Sequence, residues 1–150
     1  MQVKLPVIDR HCVEVAAGAE DAWRSLVEIL PTLFAGWGKG AFTRALGCEE
    51  RSVTGPSPIA EGSTFPGFRV VDASPPRLVA EGRHRFSSYA LIFDVEKNGE
   101  GARICAETMA SFPGVQGGVY RALVIGTGAH VVAVRRILRA IKQRTEASAP

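Results

Sequence analysis

Four stretches in the middle of the chain, Thr64 to Ala73, Arg77 to Phe86, Ser88 to Glu96 and Ala102 to Phe112, alternate apolar and polar residues. A period of two is what a strand with one buried face requires. The links between them are Ser74-Pro75-Pro76, a polar corner at Ser87, and Asn98-Gly99-Glu100-Gly101. None is long enough for the crossover that parallel strands need, so consecutive strands must be antiparallel neighbours. The middle of this chain is committed to an antiparallel sheet.

The period then changes. Pro113, Gly114, Gly117 and Gly118 end the sheet, and Tyr120, Val124, Thr127, Val131, Val134, Leu138 and Ile141 recur at alternating steps of four and three residues. That spacing predicts one long amphipathic helix reaching Thr145 or so, with Ala147 to Pro150 frayed. His130 lies one step off the stripe and is expected to be half exposed. Gly126-Thr127-Gly128 interrupts the helix at a cost of about 1 kcal/mol per glycine relative to alanine. Close packing of the helix on the sheet and a kink beside a ligand cavity both account for the glycines, and the sequence does not choose between them. Arg135, Arg136, Arg139, Lys142 and Arg144 form a basic face on this helix, read first as a solvated surface and second as a site that recruits a protein or a membrane.

Ahead of the sheet, Asp9 to Ala17 alternates as a first strand, with His11, Val13, Val15 and Ala17 on one side and Arg10, Cys12, Glu14 and Ala16 on the other. Gly18 breaks it. Ala19 to Leu30 carries apolar residues at helical spacing with Glu20 and Asp21 near its start, where the helix dipole favours negative charge. Pro31 is expected to stop that helix. Pro31 to Gly47, with Gly36, Gly38 and Gly40, suits a short second helix or turn that flaps over the fold, and a short strand is expected near Glu49 to Val53 before the loop Thr54 to Gly62.

A length of 150 residues, 46% hydrophobic and 22% charged, fits one domain, residues 1–150, with a single core. Cys12, Cys48 and Cys105 are widely spaced with no C-x-x-C pair, which suggests neither a zinc site nor a disulfide framework, and they read as reduced apolar fillers. The N-terminus meets Pro6 and charges before an apolar signal region can form, so a cytoplasmic protein is expected. No stretch reaches the ~18 apolar residues of a spanning helix, so no integral membrane association is expected. No basic platform with interleaved aromatics suggests nucleic acid, His11, His84 and His130 have no paired spacing for a metal, and no phosphate loop or nucleophile elbow appears. No cofactor is implied, and the oligomeric state stays open.

The order of strand, two short helices, antiparallel strands and a final long helix resembles the START-like, or Bet v 1-like, superfamily, which includes SRPBCC and polyketide-cyclase-like proteins. At residue level Glu81 to Leu91 (EGRHRFSSYAL), Ala106 to Gly114 (AETMASFPG) and Tyr120 to Gly126 (YRALVIG) resemble a bacterial branch of it. The resemblance implies an α+β helix-grip fold, in which a curved antiparallel sheet wraps a long C-terminal helix around an apolar cavity. Members bind lipids, sterols, hormones or polyketides, and a few are aromatases or cyclases. No shared catalytic motif transfers.

The strand parity nominates the cavity's walls. Even positions of the Arg77 to Phe86 strand face inward, which brings in His84 and Phe86; the next strand contributes Tyr89, Leu91 and Phe93, and the last contributes Ala106, Thr108 and Ala110. Tyr120, Val124 and Thr127 face them from the helix, with Phe34, Trp37 and Phe42 as lid residues. Arg83, Arg85, Glu81 and Glu107 face outward, with Glu107 expected as a cross-strand partner of Arg83 or Arg85. The expected partner is a small apolar molecule held without chemistry, His84 tuning the pocket. The alternative is a small cyclase or dehydratase in which His84 moves a proton and Tyr89 or Tyr120 polarises an oxygen.

Overall fold

A computed structural model describes residues 5–35 and 53–148. Trp37, Phe42, Cys48, the expected flap with its second helix, and most of the short strand before Val53 lie outside the described residues. The elements run β1 (Val7–Val15), α1 (Ala19–Ala35), β2 (Thr64–Phe65), β3 (Phe68–Ser74), β4 (Arg77–His84), β5 (Ser87–Asn98), β6 (Gly101–Ser111), α2 (Gly114–Arg121), a π-helical turn (Ala122–Gly126) and α3 (Ala129–Ser148).

The strands form one antiparallel sheet in the order β1-β6-β5-β4-β3-β2. The stretch expected as a single strand from Thr64 is divided at Pro66-Gly67, where Gly67 takes a φ of +88° that suits glycine. The hairpins follow the parity of the sequence. Leu78, Ala80 and His84 on β4, Leu91, Phe93 and Val95 on β5, and Ala102, Ile104, Ala106, Thr108 and Ala110 on β6 are all buried. Arg77 pairs with Asp94 and Ile92 with Glu107 on the opposite face. The curved sheet and the long C-terminal helix make this an α+β helix-grip fold.

Pro31 does not end α1. The helix runs through it for 17 residues to Ala35. A proline in a helix removes one N–H and orphans the carbonyl four residues earlier, here that of Val27. The N–H of Ile59 donates to that carbonyl at 3.3 Å, so the donor the helix lacks comes from the chain ahead of β2. Phe34 is thereby carried into the core at the end of α1, 5% exposed.

The C-terminal stripe is not one continuous helix. It bends by 53° between Gly126 and Ala129, with Gly128 at a φ of +80°. A Cβ at either Gly126 or Gly128 would meet nothing within 4 Å, so close packing is not what these glycines serve; Gly128, with its positive φ, serves the kink. Beyond it, Val134, Ile137, Leu138 and Ile141 are buried, and α3 packs on α1, β1 and β6. Arg135, Arg136 and Arg139 are exposed, while Lys142 pairs with Glu146 at 2.8 Å and Arg144 with Glu28 at 3.0 Å. No single described helix is long and apolar enough to cross a membrane.

Two expectations drawn from the sequence are corrected. Glu107 stands opposite Arg10 and Ile92, and β5 separates it from β4, so it partners neither Arg83 nor Arg85. The carboxylate on this face that is enclosed by cations is Asp94, 6% exposed, bonded by Arg77 at 2.8 Å and Arg10 at 3.3 Å. Cys12 and Cys105 are not reduced fillers either. They sit directly opposite in the β1–β6 register and form a disulfide that closes a separation of 93 residues. Of the three cysteines, two should therefore resist alkylation under denaturing conditions until a reductant is added, as intact mass will show. Replacing both Cys12 and Cys105 by serine should lower stability by about 2–4 kcal/mol; full alkylation without reductant would refute the bond.

Candidate functional site

The bend in the C-terminal helix leaves a cavity of about 310 Å³ between the sheet and the helical segments. One side of it is a run of aromatic rings. Phe34 packs on Phe65 and on Phe68 with centroids 5.0 Å apart in each pair, and Phe68 meets Tyr89 edge-on at 5.1 Å. Tyr89 lies 5.5 Å from His84, and His84 lies 4.7 Å from Tyr120 in a T-shaped pair. Phe86 stacks behind Tyr120 at 5.7 Å. Rings at these separations gain from edge-to-face and offset contacts as well as from burial.

The geometry is held by a glycine. Gly82 is the cross-strand partner of Tyr89, and a Cβ there would come within 2.0 Å of the Gly67 carbonyl oxygen and 2.5 Å of the Tyr89 ring. The missing side chain lets the ring lie flat over β4 and reach across it, so that the Tyr89 hydroxyl donates to the Gly67 carbonyl at 2.6 Å. Gly82→Ala should therefore cost about 1–3 kcal/mol in chemical denaturation through forced overpacking and should shift the tyrosine fluorescence; a silent substitution would show that the ring is not so placed.

His84 sits at the centre of the run, 9% exposed. Its Nδ1 accepts the Phe86 N–H at 3.1 Å, so the neutral ring carries its proton on Nε2 and presents a donor. Burial pushes its pKa below the ordinary value, because desolvation disfavours the imidazolium. Between that lowered value and the unfolded value near ~6.5, the unfolded chain binds a proton that the folded chain does not. His84 thus contributes stability that is present above about pH 6.5 and lost as the pH falls toward its folded-state value. In urea titrations at about pH 7.5 and about pH 5.5 the wild type should lose more stability on acidification than His84→Gln; equal losses would contradict a buried neutral ring.

A second polar group lies where β1 meets the start of α3. The Asp9 carboxylate accepts from His130 Nε2 at 3.2 Å, and His11 Nε2 approaches its other oxygen to 3.3 Å without the alignment of a hydrogen bond. Thr108, directly opposite Asp9 in the β1–β6 register, is 8% exposed and its Oγ1 has no hydrogen-bond partner among the described residues. An unpaired buried hydroxyl costs on the order of 1–3 kcal/mol. No such grouping among the described residues could hold a metal ion.

Of the residues nominated from sequence, Phe34, His84, Tyr89, Leu91, Thr108, Ala110, Tyr120 and Val124 line this cavity. Phe86 backs Tyr120 from behind. Phe93 and Ala106 face inward but are sealed in the core, 0% and 1% exposed. Thr127 is exposed, its hydroxyl turned back to the Leu123 carbonyl. Phe112, which strand parity turns inward without its being nominated, also lines the cavity; missed altogether were Phe68 on the sheet side, and Ile125, Ala129, His130, Ala133 and Ile137 on the helical side. His130 is not half exposed: its side chain is 16% exposed and engaged with Asp9.

Among solved structures, norcoclaurine synthase from Thalictrum flavum, in complex with dopamine and hydroxybenzaldehyde, is 16% identical with a TM-score of 0.58, over 98% of this chain and 90% of that one. The protein TTHA0849 from Thermus thermophilus is 17% identical with a TM-score of 0.59, over 97% of this chain and 100% of that one. A conserved protein from Geobacillus kaustophilus is 16% identical with a TM-score of 0.56, over 93% and 95%. No family model matches the chain, and no curated protein matches it in sequence. Likeness at this level of identity shows the fold alone, the helix-grip arrangement of curved sheet and long C-terminal helix.

Proposed function

We propose that the protein binds one small, largely apolar molecule of aromatic-ring size between the sheet and the bent C-terminal helix, and that it carries or senses that molecule without transforming it. The observation that carries this reading is the cavity of about 310 Å³ walled by the Phe34-to-Tyr120 run of rings. Its volume falls at the lower end of the range for small-molecule sites, and burial of apolar surface there contributes roughly 25 cal/mol per Å². The polar groups at its centre are already engaged. The His84 acceptor nitrogen takes the Phe86 N–H, which leaves the ring a donor and not a base, and the Tyr89 proton is given to Gly67. Such groups orient a ligand oxygen.

A second reading, a cyclase-type enzyme, is favoured by the convergence of His84, Tyr89 and Tyr120 on one cavity. A neutral histidine that donates a hydrogen bond can polarise a carbonyl, and one structure of the same fold is an enzyme, norcoclaurine synthase. In this cavity that reading needs a base besides His84. On compartment, the Cys12–Cys105 disulfide favours an oxidising environment over the cytoplasm expected from the sequence.

The environment-sensitive dye ANS should bind at one-to-one stoichiometry. Ala110→Phe, which fills the cavity beside Tyr89, should weaken it at least tenfold, whereas Ala106, sealed in the core, is the wrong place for such a test. His84→Ala should change affinity modestly. Dye binding that Ala110→Phe leaves intact would move the ligand elsewhere; time-dependent consumption of a bound carbonyl compound, abolished in His84→Ala, would establish the enzyme.

A further inference from the structure

Away from the cavity, the C-terminal helices leave an apolar stripe in contact with solvent. Val115, Val119 and Leu123 follow one another at steps of four along α2 and the π turn, and Val132 stands on the first turn of α3. Each of the four is more than half exposed. Tyr120, Val124 and Ile125 turn another flank of the same segment to the cavity, as Ala133, Val134 and Ile137 do on α3. Single exposed apolar residues are ordinary, but a stripe repeating at helical spacing marks a face that something covers.

The charge beside the stripe is of one sign. From Thr108 to Thr145 the chain carries neither Asp nor Glu, while six residues are Lys or Arg. Three of these are engaged: Arg121 lies over the Phe112 ring, Lys142 pairs with Glu146 and Arg144 with Glu28. Arg135, Arg136 and Arg139 are exposed and have no carboxylate partner among the described residues. They follow Val132 at three, four and seven residues, on the same side of α3. We infer that this surface docks on an anionic lipid bilayer, with Val115, Val119, Leu123 and Val132 turned to the acyl chains and the three arginines on the headgroup phosphates.

Chemistry selects the bilayer over other occupants. A helix lying in the membrane interface buries an apolar stripe at the acyl boundary while long cationic side chains reach the headgroups. A second copy of this chain would set two groups of unpaired arginines against each other. A protein partner would take hold of aromatic anchors, whereas valine and leucine, the only residues on the stripe, are under-represented among binding hot spots. Lipid needs no shaped anchor, only apolar area and positive charge. No single described helix spans a membrane, so the attachment is peripheral. It stands apart from the binding reading, because none of the four apolar residues and none of the three arginines lines the 310 Å³ cavity.

The test is flotation of the intact protein with vesicles of phosphatidylcholine alone and of phosphatidylcholine containing about 30% phosphatidylglycerol, an anionic lipid. Wild type should partition onto the anionic vesicles and bind the neutral ones far more weakly, and raising the salt from about 0.1 M to about 0.5 M should release it. Replacing Arg135, Arg136 and Arg139 together by glutamine should weaken partitioning onto the anionic vesicles by about a hundredfold, about fivefold per cation. Val119→Gln combined with Leu123→Gln should weaken it at least about tenfold through lost apolar burial. Both variants alter exposed residues and should keep the wild-type melting temperature. Wild type that floats with neither vesicle, or a glutamine pair that floats as wild type does, overturns the inference. So does a wild-type dimer in sedimentation that the glutamine pair converts to monomer, which would make a second copy the cover of the stripe.

Discussion

The pairing of β5 with β6, from Ser88 opposite Ser111 to Asn98 opposite Gly101, is the constraint from which the rest of the molecule follows. Side chains alternate across a sheet, so a slip of one residue in this ladder would turn one strand over against the other and carry either Tyr89 and Leu91 or Thr108 and Ala110 to the outer face. β5 also holds β4, and through it the Gly82 gap and His84, while β6 holds β1 with Asp9, His11 and Cys12. Both polar ends of the cavity are thus referred to one hairpin, and the outer-face grip of Arg77 and Arg10 on Asp94 spans the same strands.

The helix completes the cavity by departing from regularity. A straight continuation of α3 would bring its apolar stripe onto the sheet along its whole length. The π turn and Gly128 turn the chain by 53°, and the space between the diverging surfaces is where Tyr120, Val124 and Ile125 face the strands. Glycine at a φ of +80° is the residue that bears this turn without strain.

The parity of the strands could be read directly because alternation is local: each residue's face depends on its immediate neighbours, and the inward sets on β4, β5 and β6 are those the sequence implies. What the sequence hid depends on residues far apart along the chain. Pro31 reads as a stop until Ile59 supplies the donor for Val27. The Cys12–Cys105 bond is invisible in spacing, because β1 reaches β6 across the whole sheet-forming region. Thr127 was assigned by a period of about 3.6, and a π turn winds more residues per turn, so the phase is lost there: Thr127 rotates out and Ile125 rotates in. Ala106 shares its face with Thr108 and Ala110, and only the position of the bend decides that it is roofed by the core while they border the open space.

The donor from Ile59 to Val27 makes α1 a helix that cannot complete its own hydrogen bonding. Standing alone, it would expose one carbonyl to whatever covers it, hydrocarbon or water; only the arrival of the chain before β2 satisfies that oxygen. That gives the proline a role opposite to its reputation. It reserves a vacancy on the helix surface that one backbone amide, at one position, fills. An alanine at position 31 would improve the helix taken in isolation and yet furnish a rival N–H for the same oxygen, so that Ile59 would have to share its acceptor. The imperfection in α1 therefore selects the partner against which the helix docks, and a locally better helix would be a less discriminating one.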